Sequence, residues 1–192
     1  MVEDYPTISL DSGQVDLAIK KAEELVDHFM PKIVKRNKTG STIPEQTVQE
    51  RVSRLYRDQL TGQLSQLAIT LYMTGTDQMY RVQRWSCMLH PDKGDDGYDI
   101  PGLRMDVKGT RIKKGKDPRE YSLVIRPRER KPEWTYALVL VEVRDDKALC
   151  HIMGWATDEE LEGNVPSSGI FKGAHVLSYN KLHSLPKFIW DL

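Results

Sequence analysis

The chain has 192 residues, enough for one sizeable domain with its own core, and its 28 basic residues balance 28 acidic ones, so the overall charge gives no sign of a polyanion partner. Two cysteines exclude a disulfide framework, and no stretch reads as a signal peptide or as a bilayer span. The expectation is a soluble cytoplasmic protein with reduced thiols and no membrane partner.

In chain order, residues 1–10 read as an extended or poorly ordered arm. Gln14 to Met30 carries Val15, Ala18, Ile19, Ala22, Leu25, Val26 and Phe29 at helical spacing, with Asp11 or Ser12 to cap it and Pro31 following. Lys35 to Ile43 reads as a polar loop. Pro44 suits a first helical position, and Val48, Val52, Leu55, Leu60, Leu64, Leu67, Ala68 and Leu71 predict a helix toward Met73, with Gly62 as an interruption and Gly75 as a stop. Gln78 to Met88 alternates loosely, as a strand does. Gly94 to Gly97 is a turn, Tyr121 to Ile125 a strand, and Tyr136 to Val143 a buried β-branched strand. Arg144 to Lys147 turns the chain into a further strand, Ala148 to Trp155. Thr157 and Glu160 have the capping-box spacing of a short helix, and Val176 to Leu192 mixes a strand with a helical or turn segment. The order predicts one α/β (α+β) domain: helices, a mainly antiparallel sheet, then small helices.

Chemistry concentrates between Gly97 and Lys108. Alternation along a strand sends Leu103, Met105 and Val107 toward a core, and Arg104, Asp106 and Lys108 to the other face. With Pro101-Gly102 as a two-residue turn, Asp99 pairs with Arg104 and lies diagonal to Asp106, close enough for two carboxylates to share a cation. A one-residue slip would move Asp99 to the wrong face and make Asp95 and Asp96 its substitutes. Magnesium takes hard oxygen ligands and keeps several waters, so Asp99, Asp106 and the Val107 carbonyl form a suitable set, with manganese as a substitute ion. Such a cation activates water and offsets charge on a scissile phosphate, and Lys108 adds a point charge.

From Arg104 to Lys131 the chain holds eleven basic residues against four acidic ones. This surplus beside the candidate hairpin suits a phosphate backbone. Arg111, Lys113, Lys114, Lys116, Arg128 and Arg130 are the expected nucleic-acid contacts. The run Arg126-Pro127-Arg128-Glu129-Arg130-Lys131 reads either as a loop over DNA or as a solvated hairpin tip.

Asp99-Ile100-Pro101-Gly102-Leu103-Arg104-Met105-Asp106-Val107-Lys108-Gly109-Thr110-Arg111 resembles the core of the PD-(D/E)XK nuclease superfamily. The family's two acids fall on Asp99 and Asp106 and its lysine on Lys108. Gly62 to Ala68 resembles the family's preceding helix, with Gln66 where a glutamate often stands, which disfavours a second metal. Ala137 to Trp155 is similar in outline to the segment after the hairpin in phage and restriction-type members. The resemblance implies a restriction-endonuclease-like core at 44–155, with an N-terminal arm and helix at 1–43 and C-terminal helices and tail at 156–192. It implies a magnesium-dependent deoxyribonuclease acting on double-stranded DNA, with catalytic Asp99, Asp106, Lys108 and Gln66. A homodimer would suit double-strand cleavage. The alternative is a nucleic-acid-binding or structural module that keeps the fold without cutting.

Other constellations are weaker. Cys87, His90, Cys150 and His151 hint at zinc, but adjacent strand residues face opposite ways, so core cysteines and surface histidines are the better reading. Trp134, Trp155 and Trp190 read as core rather than base-stacking residues. No GxxxxGK loop or G-x-S-x-G elbow is present.

Overall fold

A computed structural model of the chain describes residues 5–38, 48–82, 99–100 and 103–186. It is a mixed α+β fold. Among the described residues the strands are β1 (Thr7–Leu10), β2 (Met105–Arg111), β3 (Ser122–Ile125), β4 (Thr135–Arg144), β5 (Lys147–Thr157) and β6 (His175–Ser178). The helices are α1 (Ser12–Lys38), α2 (Val48–Thr74), α3 (Gln78–Val82) and α4 (Asp158–Leu161). The main sheet has the order β1-β5-β4-β2, antiparallel except for the parallel pairing of β2 with β4. A second ribbon pairs β3 with β6.

Alternation on β4 builds a core on each face of the main sheet. Ala137, Val139 and Val141 join Cys150, Ile152 and the buried faces of α1 and α2. Tyr136, Leu138 and Leu140 join Leu123, Ile125, Leu161 and Leu177 from the ribbon and α4. Both faces of β4 are covered, which is why its sequence is a continuous apolar run. Each fully buried leucine contributes about 1.5–3 kcal/mol. The pairing of β4 with β5 shifts between Leu138 and Val139. There Gly154 adopts φ +133, and a Cβ on it would lie 2.5 Å from the His183 carbonyl.

Several elements differ from the sequence reading. Helix α1 runs through Pro31 to Lys38, so Pro31 does not end it and 35–38 is not loop. A proline forfeits one N–H bond and need not stop a helix that packs along its length against another. Helix α2 passes Gly62 uninterrupted and stops where Gly75, at φ +70, donates to the Leu71 carbonyl at 2.8 Å. The expected strand Gln78 to Met88 is helical over its described part, α3, whose first turn is tied by Arg81 to Asp77 at 2.7 Å, and 83–88 lie outside the described residues. The arm forms an edge strand over Thr7–Leu10. Around α4, Thr157 and Glu160 make both bonds of the capping box. Pro44, Gly94 to Gly97, Asp95, Asp96, Cys87, His90 and Trp190 lie outside the described residues. No helix among the described residues is long and apolar enough to cross a membrane.

Candidate metal and phosphodiester site

Helix α2 and strand β2 approach closely because small residues face each other. A Cβ on Gly109 would collide with Ser65 Oγ and lie 2.8 Å from the Thr61 carbonyl. The polar groups on this buried stretch of α2 satisfy themselves: Thr61 donates to Arg57 O, and Ser65 to Thr61 O, each at 2.7 Å. This contact lets Gln66, also on α2 and buried, reach the edge of β2.

There Asp99 is held from two sides. Gln66 Nε2 donates to its Oδ1, and the Val107 N–H donates to its Oδ2 at 2.6 Å. Among the described residues β2 is the outer strand of its sheet, and on that side the Asp99 carboxylate takes the Val107 N–H. A strand residue's N–H and C=O leave on the same side, so the Val107 carbonyl points to the same side of β2 as Asp99.

The backbone register differs from the expected hairpin by one residue. Leu103 N–H donates to Ile100 O at 3.2 Å, and Asp99 N–H donates to Met105 O at 3.1 Å, where the sequence reading paired Asp99 with Arg104. The cause is β4: the Arg104 carbonyl is taken by the Thr135 N–H at 2.8 Å, so the Met105 carbonyl is the one that faces outward. Asp99 therefore stands at the strand edge against α2 rather than diagonal to Asp106 on one face. Pro101 and Gly102 lie outside the described residues.

Asp106 and Lys108 occupy the other face of β2, as alternation predicts. Lys108 Nζ lies 2.8 Å from Asp106 Oδ2 and 3.5 Å from Glu129 Oε2. Burial disfavours the Lys108 ammonium, but Asp106, Glu129 and Asp99 together outweigh it and hold the group above its ordinary value. Lys108 is thus positively charged at neutral pH. Glu129, brought in by the turn Pro127–Glu129, is the site residue that sequence reasoning missed. It lay within the basic run, where its neighbours drew attention to charge excess and hid one carboxylate.

The predicted backbone contacts fall into three places. Arg111 donates to Thr61 Oγ1 at 3.0 Å on the α2 side. It lines, with Lys113, Lys114 and Lys116, an open groove of about 550 Å³ toward the far end of β2. Lys113 is five residues from Lys108, roughly 17 Å along an extended strand. Arg128 lies beside the site, 3.9 Å from Glu129. Arg130 is taken up by structure: its guanidinium forks onto Asp158 and reaches Glu162 at 2.7 Å, and both carboxylates raise its pKa.

Cys150 and His151 do face opposite ways. Cys150 is buried against α2, and burial pushes its thiol up to about 12. His151 is buried rather than on the surface, with Nδ1 2.9 Å from Thr7 Oγ1. Trp155 packs against the α2-side core and donates to Ser184 O, while Lys131 sits 3.9 Å over the Trp134 ring.

Asp99 at the edge of β2 and Asp106 on its face offer the oxygen chemistry that a hard divalent cation takes. Asp99, Asp106 and the Val107 carbonyl are all oxygen donors, the set magnesium accepts alongside water and substrate. The Gln66 Oε1 atom is buried and has no hydrogen-bond partner among the described residues, an acceptor beside Asp99. Among the described residues no three His, Cys, Asp or Glu side chains cluster as a metal cage, so the set rests on two carboxylates and backbone. In comparisons with known proteins, no family model, no curated protein and no solved structure matches this chain.

Proposed function

We propose that this protein is a magnesium-dependent deoxyribonuclease of the PD-(D/E)XK type, with double-stranded DNA as substrate. The observation that carries the reading is the gathering of Asp99, Asp106 and a charged Lys108 around β2. Asp99, Asp106 and the Val107 carbonyl would hold the cation. When bound, it would supply Lewis-acid stabilisation of charge developing on the scissile phosphate.

The chain's own residues do the positioning. Gln66 and the Val107 N–H fix the Asp99 carboxylate in one orientation, so little reorganisation is needed when an ion arrives. Lys108, oriented by Asp106, offers its ammonium to a phosphoryl oxygen. Met105 and Val107 on the reverse of the strand anchor it in the core. Manganese would serve in place of magnesium, since both accept carboxylate and carbonyl oxygen.

A second reading is a nucleic-acid-binding module that does not cut, favoured by the neutral Gln66 amide at the Asp99 carboxylate. Titrating magnesium and manganese against supercoiled plasmid and single-stranded DNA separates the two. The expected outcome is metal-dependent strand cleavage that falls by at least about 10²-fold in Asp106→Asn and in Lys108→Ala, with DNA binding retained in Asp106→Asn. Cleavage that survives both substitutions removes the proposed site. Binding without cleavage at any metal concentration favours the second reading.

A further inference from the structure

Glu129 is surrounded by cations that hold it poorly. Its carboxylate lies 3.5 Å from Lys108 Nζ, 3.7 Å from Arg126 Nη1 and 3.9 Å from Arg128 Nε. All three exceed the 2.7–3.2 Å of a well-made N–H···O bond. The same molecule makes tight forks elsewhere: Arg144 grips Glu142 at 2.8 and 2.9 Å, and one arm of Arg130 meets Asp158 at 2.9 Å. One carboxylate thus faces three positive groups, and the side chains of Arg126 and Arg128 remain 61% and 76% exposed.

The backbone presents these groups in a set arrangement. The turn is closed by Glu129 N–H to the Arg126 carbonyl at 2.9 Å, and Pro127 between the two arginines has its φ set by its ring. Lys108 joins from β2 and is itself bound to Asp106.

We propose that Lys108, Arg126 and Arg128 form a binding subsite for a nucleic-acid phosphodiester, and that the Glu129 carboxylate is the intramolecular stand-in which that phosphodiester displaces. A phosphodiester carries the same single charge but offers its oxygens in a tetrahedral array, so it reaches ammonium and guanidinium groups that a planar carboxylate meets only loosely. Its arrival at Lys108 sets a phosphate beside Asp106, and it frees Arg126 and Arg128 to follow the backbone. The inference rests on the proposed nuclease site for its meaning, but not for its test.

The test is binding of a short fluorescein-labelled DNA duplex in EDTA, where no metal-dependent cleavage occurs. Glu129→Gln should bind the duplex about threefold to tenfold more tightly than the parent. Glu133→Gln changes the net charge equally on the same loop, but Glu133 pairs with Arg104 outside this cluster. It should gain less than half as much on a logarithmic scale. Arg126→Ala and Arg128→Ala should each lower the slope of log affinity against log salt by about one and cancel the Glu129→Gln gain. Inorganic phosphate should compete with the duplex more strongly in Glu129→Gln than in the parent. Equal gains from Glu129→Gln and Glu133→Gln would show a net-charge effect and overturn the subsite, as would an unchanged salt slope in both arginine variants. Thermal melting confirms that each variant is folded. Loss of cleavage with these binding results intact would sink the nuclease reading alone.

Discussion

The contact between Gln66 and Asp99 shows how one side chain sets the character of the site. The amide donates to Asp99 Oδ1 and leaves its own oxygen buried without a partner among the described residues. Gln66→Glu exchanges the donor for a second carboxylate facing the first. Without divalent cation this variant should lose about 2 kcal/mol, the order of a buried charged hydrogen bond removed and a like charge added. Magnesium should then raise its melting temperature by more than it raises the parent's. Differential scanning fluorimetry with and without magnesium reads both effects, and an identical magnesium shift in the two proteins would contradict a cation seat at Asp99. The same scale explains why Gln66 was legible only through resemblance. A glutamine in an apolar helix has no spacing that announces its partner, and Asp99 is 33 residues away.

At the level of elements, the site depends on how closely α2 lies against β2. Gly109 permits that approach, since a methyl group there would meet Ser65 Oγ and the Thr61 backbone. Gly109→Ala should cost about 1–3 kcal/mol by overpacking, measured by urea denaturation. Adding Ser65→Ala should recover only part of it, because the Thr61 carbonyl at 2.8 Å is backbone and cannot be trimmed. Full recovery would mean that the side chain alone sets the spacing. The alternation of Asp106 and Lys108 was readable because strand geometry dictates it. The register of Asp99 was not, because it depends on which carbonyl β4 claims, and β4 begins at Thr135, far along the chain. The turn after β3 carries a similar lesson. Its charges were visible as a basic run, yet Arg130 is drawn to Asp158 and Glu162, while Glu129 comes back to Lys108.

For the molecule as a whole, stability carries a pH signature that local pattern does not show. Lys21 on α1 is buried, donates to the Tyr80 carbonyl and lies 3.9 Å from the Tyr80 ring centroid, so it joins α1 to α3. Burial lowers its pKa from 10.5 to about 8, against an opposing pull from Glu24 and with a smaller contribution from Arg81. Below pH 8 the ammonium is charged in both the folded and the unfolded chain, and the folded chain bears the cost of burying it. Between about 8 and 10.5 the unfolded chain still holds a proton that the folded chain has released, so the stability of the parent should rise relative to Lys21→Met. Urea midpoints of the two proteins from pH 7 to pH 10 check this, and tyrosine ionisation, common to both, cancels. A constant difference across that range would refute the assignment.

Sequence by itself determined the class of fold, the two long helices, the β4–β5 hairpin and the pairing of Asp106 with Lys108. Each of these depends on periodicity, capping or turn chemistry within a few residues. Tertiary structure alone decided that α1 continues through Pro31, that Gln78–Val82 is helical, and that Asp99 sits on the strand edge bound to Gln66. It also decided that Glu129, and not Arg130, faces the candidate centre. The physical reason is the same in each case. These outcomes depend on which distant group satisfies a backbone N–H, a buried amide or a charge, and that competition is settled only when the helices and the sheet are packed together.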